Sequence, residues 1–362
     1  MRGLTLIFIA VLVIFSVNVF GQGESAVPFL LIAPGARAGA MGEAGVAYAN
    51  DATAVFWNPA GLAFQYSDPE IDAPREISLM HSKWLPQFNF SDLWYDYMAG
   101  RFYVEGLGMF GGSITYMNLG ENVQTNNNGD EIGRFDSYEY AITGSYSTKL
   151  KQNLGIGVNL KFIHSHLTPS DLQVDAETTD GTGTSFAVDV GVMWIPAYDF
   201  FQNRFSFGAN LANFGPKITY NDKAQADPLP TNLRVGVAYK ILDSEFNRLT
   251  VVYDMNRMLV YRDSTESDNV LKAAFYSAWF KGSLSERLRR FTHSIGLEYW
   301  YGNLIALRTG YFYEDENYGA RKFATFGGGL EYSIFAVDFS YIWAKGDHPL
   351  ADTMRFSIAV KF

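Results

Sequence analysis

At 362 residues, with a formal net charge of −10 and no cysteine, the chain has no disulfide framework, no thiolate chemistry and no thiol to acylate. Its 28 Lys and Arg form no basic block, which argues against nucleic acid as a partner, because phosphate binding needs clustered cations. Beyond the N-terminus no apolar run reaches about 18 residues, so helical membrane spans are excluded; 16% aromatics, with 22 Tyr, instead suit the two interfacial girdles of a membrane β-barrel.

The first predicted element is a secretory signal at residues 1–21. Arg2 gives a positive start, an apolar stretch runs from Leu4 to Phe15, and Val19 and Gly21 are small enough for cleavage before Gln22. A retained anchor is the alternative, but nothing resembling a stop-transfer sequence follows. Residues 22–75 come next. From 28 to 70 they lack alternation and are rich in Gly, Ala and Pro. They form either a hatch inside a lumen or a periplasmic extension, since irregular backbone survives at membrane depth only where protein or water satisfies it. Within them Trp57-Asn58-Pro59-Ala60 reads as a hatch element and equally as a helix start, with Asn capping free N–H groups and Pro fixing φ at the first helical position.

Residues 76–362 are predicted to be a transmembrane barrel of fourteen antiparallel strands, near 76–89, 93–105, 108–119, 136–149, 153–167, 184–196, 204–219, 230–242, 247–261, 289–301, 304–314, 323–333, 335–345 and 353–362. Fourteen is even, as a closed single-chain bacterial barrel requires. The pattern has period two. Leu154, Ile156, Val158, Leu160 and Phe162 alternate with Gly155, Gly157, Asn159 and Lys161; Phe186, Val188, Val190, Val192 and Trp194 enclose Asp189 and Gly191. Alternate side chains of a strand point to opposite faces, so one row suits lipid and the other a watery lumen. Lys161, Asp189, Arg234, Glu298 and Asp338 all fall opposite the aliphatic rows. On that basis Val190→Arg should be costly and Asp189→Asn mild. The last strand, with Met354, Phe356, Ile358, Val360 and Phe362 on one face, reads as the signal for barrel assembly.

Connections after even strands are mostly tight, and those after odd strands mostly long and polar: 121–135, 168–183, 262–288 and 315–322. The connection after strand one, which looks short, and 196–203, rather long for a turn, are exceptions. Short periplasmic turns and long outer loops follow if both barrel ends lie in the periplasm. In the longest loop Leu271, Ala274, Phe275, Ala278 and Trp279 have helical spacing. Phe275, Trp279 and Phe280 are candidate partner contacts, because water disfavours such rings unless something covers them; folding back onto the barrel mouth would bury them equally well.

The stretches Ala-Arg-Ala-Gly-Ala-Met-Gly-Glu-Ala-Gly-Val-Ala (36–47) and Trp-Asn-Pro-Ala-Gly-Leu-Ala-Phe (57–64) resemble the PorV/PorQ family of type IX secretion outer-membrane proteins. The Asn-Pro-Ala step also resembles the hatch of FadL-like barrels, whose fourteen strands that family shares. Gly296-Leu297-Glu298-Tyr299-Trp300-Tyr301, Leu307-Arg308-Thr309-Gly310-Tyr311-Phe312 and the stretch His348 to Ser357 look closer to PorV than to PorQ. The outer loops 121–135 and 168–183 carry no match. The resemblance implies a non-enzymatic protein of the bacterial outer membrane, without cofactor. Its implied partners, beside lipid and the barrel assembly machinery, are a secretion translocon, a sortase-containing attachment complex and the C-terminal signal domains of cargo.

Other readings are weaker. A FadL-like transporter of hydrophobic small molecules would need a continuous apolar path through the lumen. A surface phospholipase would need a Ser/His pair on one face, and His293 and Ser294 are adjacent, hence on opposite faces. His164 and His166 share a face but have no third ligand at metal spacing. Asp171, Asp175, Glu177 and Asp180 miss the calcium-loop pattern and read as a solvated acidic loop. Gly327-Gly328-Gly329 lacks a following Lys-Ser/Thr, so a close-packed strand is the better account than a phosphate cradle.

Overall fold

The computed structural model describes residues 25–66, 75–88, 92–126, 128–169, 172–174, 177–179, 181–197, 203–220, 226–262, 267–346 and 348–362. The expected signal segment, residues 1–21, lies outside them, as do Asp171, Asp175 and Asp180.

Fourteen antiparallel strands close into a barrel. They are β1 Arg75–Lys83, β2 Trp94–Val104, β3 Gly108–Thr125, β4 Glu131–Lys151, β5 Leu154–His166, β6 Thr182–Trp194, β7 Phe205–Phe214, β8 Asn232–Asp243, β9 Asn247–Met258, β10 Phe291–Tyr301, β11 Ile305–Tyr313, β12 Lys322–Tyr332, β13 Phe335–Ala344 and β14 Met354–Lys361. Each pairs with its sequence neighbour, and β1 pairs with β14, Ile77 opposite Val360 and Leu79 opposite Ile358. The Arg75 amide donates to the Phe362 carbonyl at 3.0 Å and the Phe362 amide to the Arg75 carbonyl at 2.9 Å, which completes the seam. The barrel sheet keeps no edge strand, so its ladder closes on itself, as a hydrocarbon surround demands.

The period-two reading holds strand by strand. Leu160, Phe186, Val190, Ile295 and Leu307 are exposed on the outer wall, whereas Asn159, Lys161, Asp189, Arg234, Glu298 and Arg308 are buried on the inner wall. Outward rings form two belts. Phe102, Phe110 and Tyr146 cluster toward the rim that carries the chain ends. Tyr116, Tyr138, Tyr140 and His164 cluster toward the opposite, long-loop rim. His164 and His166 are therefore girdle residues packed on Tyr138 and Tyr140.

The loop pattern needs three corrections. Residues 121–135, read as a loop, mostly continue β3 and β4, and the true turn is confined to residues 126–130. Lipid no longer sorts the side chains there, so Glu121, Asn122, Arg134 and Asp136 interrupt the alternation without ending the ladder. Strand one stops at Lys83, because Leu85 takes a left-handed φ of 48° and Pro86 opens a 3₁₀ turn; the connection after it is residues 84–93, not a short turn. Strand seven ends at Phe214, one residue past Asn213, whose φ is 58° at a bulge against β6.

The inner wall also revises one expectation. Asp189 is 1% exposed. It accepts from Lys161 Nζ at 3.3 Å, from Asn159 Nδ2 at 2.8 Å and from the Asn213 amide at 2.7 Å. Asp189→Asn removes the charge partner of Lys161 and is expected to destabilise by about 1–3 kcal/mol, not to be mild. Val190, 50% exposed on the neighbouring face, is expected to cost about 2–4 kcal/mol as Arg if it lies near the midplane. Reversible unfolding in detergent or lipid measures both, and a neutral Val190→Arg would mean the register of β6 is off by one. Deletion of Phe362, which removes the terminal pairing of β1, or its replacement by Asp, which puts a charge where the exposed ring stood, is expected to lower the yield of heat-modifiable barrel on gels.

Candidate functional site

Residues 25–66 lie inside the barrel. They fold as short helical turns, Pro28–Leu31, Ala36–Gly39, Ala54–Trp57 and Pro59–Phe64, joined by irregular backbone. Such short pieces have little stability of their own, so the wall must hold them, and it does so in two ways.

The first is steric. Inward-facing glycines on successive strands leave room for the segment's backbone. A Cβ on Gly157 of β5 would overlap the Pro59–Ala60 peptide, one on Gly191 of β6 the Asn58 side chain, and one on Gly208 of β7 the Val46 carbonyl. On the far side a Cβ on Gly296 would stand 2.5 Å from that of Met41, one on Gly310 would overlap the Gly42 amide, and one on Gly327 would stand 2.5 Å from that of Ala40. Gly327 is thus a close-packed wall position, as its glycine run suggests.

The second is polar. Asn58 is fully buried. Its Oδ1 accepts from the Ala60 amide at 3.1 Å, and its Nδ2 donates to the carbonyls of Val46 and of Val192 on β6, each at 3.0 Å. It is both the cap of the Pro59 turn and a tie to the wall. Trp57 and Ala60 are buried beside it, with Pro59 at the first helical position. Asn159 Nδ2 donates to the Val55 carbonyl at 2.7 Å and Asn210 Nδ2 to the Trp57 carbonyl at 3.1 Å. Asp254 accepts from the amides of Gly45 and Val46 at 2.6 and 2.9 Å.

Glu298 on β10 is the most heavily used wall group. Arg37 of the segment donates to it from Nε at 2.9 Å and Nη2 at 3.0 Å, Tyr48 from its hydroxyl at 2.8 Å, and Arg308 of β11 from Nε at 2.6 Å. Arg308 also reaches Asp338 at 2.6 Å, and Arg355 of β14 pairs with Glu43 at 2.6 Å. The sequence placed Glu298 and Asp338 on the inner face but did not indicate Arg37 and Tyr48 as partners of Glu298, because those come from a segment more than two hundred residues earlier.

The other candidate residues lie elsewhere. In the 259–290 connection, residues 270–280 form one helix with a π turn at Ala273–Ser277, capped by Asn269, whose side chain accepts from the Lys272 amide at 2.8 Å. A second helix, Leu284–Arg289, opens on a capping box between Ser283 and Glu286; the hydrogen bonds from Ser283 hold the Glu286 carboxyl below its usual range. Ala274 and Ala278 pack with Leu259 against Leu211, Phe214 and Leu233, so the first helix leans over the outer wall at the β7–β8 rim. Trp279 is drawn in: its Nε1 donates to the Ala274 carbonyl at 2.7 Å and its ring lies 4.9 Å from the Arg257 guanidinium. Phe275 and Phe280 remain 67% and 62% exposed. The two readings of this loop therefore divide by residue, Trp279 on its own barrel and the two Phe outward. Phe356, Ile358 and Phe362 of the last strand are exposed on the lipid face, and Val360 is half-buried there.

Among the described residues no three His, Asp or Glu cluster as a metal site. His293 faces out against Tyr253, its Nδ1 2.7 Å from the phenol oxygen, while Ser294 is buried inside. Two cavities flank the luminal segment. One of about 160 Å³ lies among Tyr48, Phe64, Met193 and Phe205; the other, of about 60 Å³, lies toward the long-loop rim among Trp57, Arg234, Asn256 and Arg321. The two share no lining residue, and Phe56 and Trp57 belong to the second.

The family model for the type IX secretion system protein PorV matches residues 22–265. No curated protein matches in sequence. Among solved structures the Pseudomonas putida toluene transporter TodX aligns at 14% identity over 94% of this chain and 97% of its own, with a TM-score of 0.52. A Pseudomonas aeruginosa FadL homologue aligns at 12% identity over 94% of this chain and 100% of its own, with a TM-score of 0.54. At such identities these likenesses bear on the fold, a barrel of the outer-membrane FadL type.

The glycine seat can be tested. Gly310→Val is expected to lift the luminal segment, at a cost of about 1–3 kcal/mol for overpacking against backbone. Limited proteolysis should then cut within residues 25–66 while the barrel keeps its heat-modifiable migration. Gly144→Val, where an added Cβ on the outer wall meets nothing within 4 Å, should leave the segment protected.

Proposed function

This chain belongs to the PorV family of the type IX secretion system, and we propose that it is a non-enzymatic outer-membrane component of that system. In this reading it binds the C-terminal signal domains of cargo and carries them from the translocon to the attachment complex at the cell surface. The observation that carries the reading is the family match, which covers the luminal segment and the first nine strands.

The geometry favours a binder over a conduit. The segment of residues 25–66 acts as a plug, tied to the wall by Asn58, Arg37 and Glu43 and seated where the wall has no side chains. The two cavities share no lining residue, and the one toward the long loops is lined by two arginines and two asparagines. A hydrophobic solute would have to cross a charged lattice. The transporter reading, suggested by the likeness to TodX and the FadL homologue, therefore ranks second.

Partner contact falls to the loop helix. Because Ala274 and Ala278 rest on Leu211, Phe214 and Leu233 of the outer wall, Phe275 and Phe280 face sideways at the rim instead of upward over the lumen. A protein that meets them arrives in the plane of the membrane, beside the barrel. Exposed Phe side chains on a supported helix are suited to anchor such a contact.

Replacing both Phe275 and Phe280 with Ala is expected to abolish co-purification of translocon and cargo signal domains from outer membranes while the barrel assembles normally. Trp279→Ala should instead loosen the loop, since that ring packs on Arg257. Undiminished capture by the double variant, together with saturable fatty-acid uptake by the purified barrel in liposomes, would favour the transporter.

A further inference from the structure

The cavity on the long-loop side of the plug has an unusual lining. Arg234 is the third residue of β8, buried on the inner wall. Arg37, Arg101, Lys161, Arg308 and Arg355 each have a carboxylate in contact; among the described residues no carboxylate forms an ion pair with Arg234. Its guanidinium lies instead over the rings of Phe56, at 4.3 Å, and Trp57, at 5.6 Å, and donates one long bond of 3.4 Å to the Phe56 carbonyl. Asp254 stands two residues along the neighbouring strand from Asn256, Arg234's partner, but is engaged by the Gly45 and Val46 amides.

Around the same space stand the Arg321 guanidinium, the side chains of Asn232 and Asn256, the Thr292 hydroxyl and Trp57. The Trp57 Nε1 and the Asn256 Oδ1 are buried and have no hydrogen-bond partner among the described residues. A buried donor left unpaired is costly, and here an indole N–H without a partner belongs to the ring over which a guanidinium without a direct carboxylate contact lies, so this side of the cavity is rich in donors. The one carboxylate in the lining, Glu43, is already held by Arg355. Arg321 brings its own counter-charge, Glu314 at 2.7 Å, and leaves Arg234 as the lining cation without a carboxylate in direct contact among the described residues.

We infer that this cavity binds a small oxyanion, a phosphate or carboxylate group, against Arg234, with Trp57 and Arg321 supplying further donors. Guanidinium groups match the planar or tetrahedral oxygens of such anions, and charge-assisted bonds to them are the strong class. The volume, about 60 Å³, corresponds to roughly four to six water-sized probes. It accepts a head group but no acyl chain. Asn232, Met258, Thr292 and Arg321 all lie at the long-loop ends of their strands or in the next loop, so the anion enters from that side. Half of the site is plug and half is wall, so its occupancy also stabilises the seated plug, whatever cargo is bound.

The test is titration calorimetry on the full chain purified in a neutral detergent, in chloride buffer. Inorganic phosphate, acetate and dihexanoyl phosphatidate are the probes, against the parent, Arg234→Gln, Trp57→Phe and, as a control, Arg134→Gln on the exposed β3–β4 hairpin. Saturable binding of phosphate or acetate is expected, weakened about tenfold or more by Arg234→Gln and less by Trp57→Phe, and unchanged by Arg134→Gln. Tighter binding of the phosphatidate would assign the site to a lipid head group, and equal or weaker binding to a free ion. Should Arg234→Gln fail to assemble, Trp57→Phe, which removes only the N–H, decides. No saturable binding to the parent, or equal binding by parent and Trp57→Phe with Arg234→Gln unaffected or unassembled, overturns the proposal.

Discussion

What the lumen depends on is the neutralisation of charge inside a closed wall. A barrel whose outer face meets lipid must put its polar residues inward, and here those residues include buried ionisable groups on β1, β2, β4, β5, β6, β8, β9, β10, β11 and β14. Such groups are tolerable only when paired or wetted. Glu298 shows how the protein meets this constraint. One carboxylate is shared by Arg37 from the plug, Arg308 from the next strand and the Tyr48 hydroxyl, so neither wall nor plug is electrically complete without the other. Replacing such an arrangement by apolar packing can be neutral for stability, which makes specificity of seating the better account of why the charges are there.

The glycines answer a different demand. Hydrogen bonds from a side chain on one of wall and plug to the backbone of the other require close approach, and the short side chains of Asn58 on the plug and of Asn159 and Asn210 on the wall reach only if nothing intervenes. Gly157, Gly191 and Gly208 clear that space on three neighbouring strands. Sterics and hydrogen bonding thus select the same level of the barrel.

Much of this was legible in the sequence, and the limits have physical causes. Fourteen strands and their faces could be read because lipid on one side sorts residues with period two, as in Val188, Val190 and Val192 against Asp189 and Gly191. Where β3 and β4 rise beyond the lipid the sorting stops, and Glu121 to Phe135 read as loop although the ladder continues. The plug showed no period because its contacts are made by backbone against wall, so Asn58-Pro59 announced a cap without revealing Val192 as the second partner. The loop helix was readable from Ala274, Phe275, Ala278 and Trp279, but which ring turns inward depended on Arg257, a residue whose place at the rim only the fold provides.

The two ends of the described chain meet inside the same wall. Ser357 of β14 accepts from the Ala36 amide at 2.9 Å, and Arg355 of the same strand holds Glu43. The strand that zips the barrel shut is therefore also a jamb for the first folded stretch of the polypeptide. Without β14 the luminal segment would lose both of these contacts. The strand that closes the cylinder and the grip on what fills it are thus one piece of structure, so damage to β14 is felt at the seam and in the middle alike.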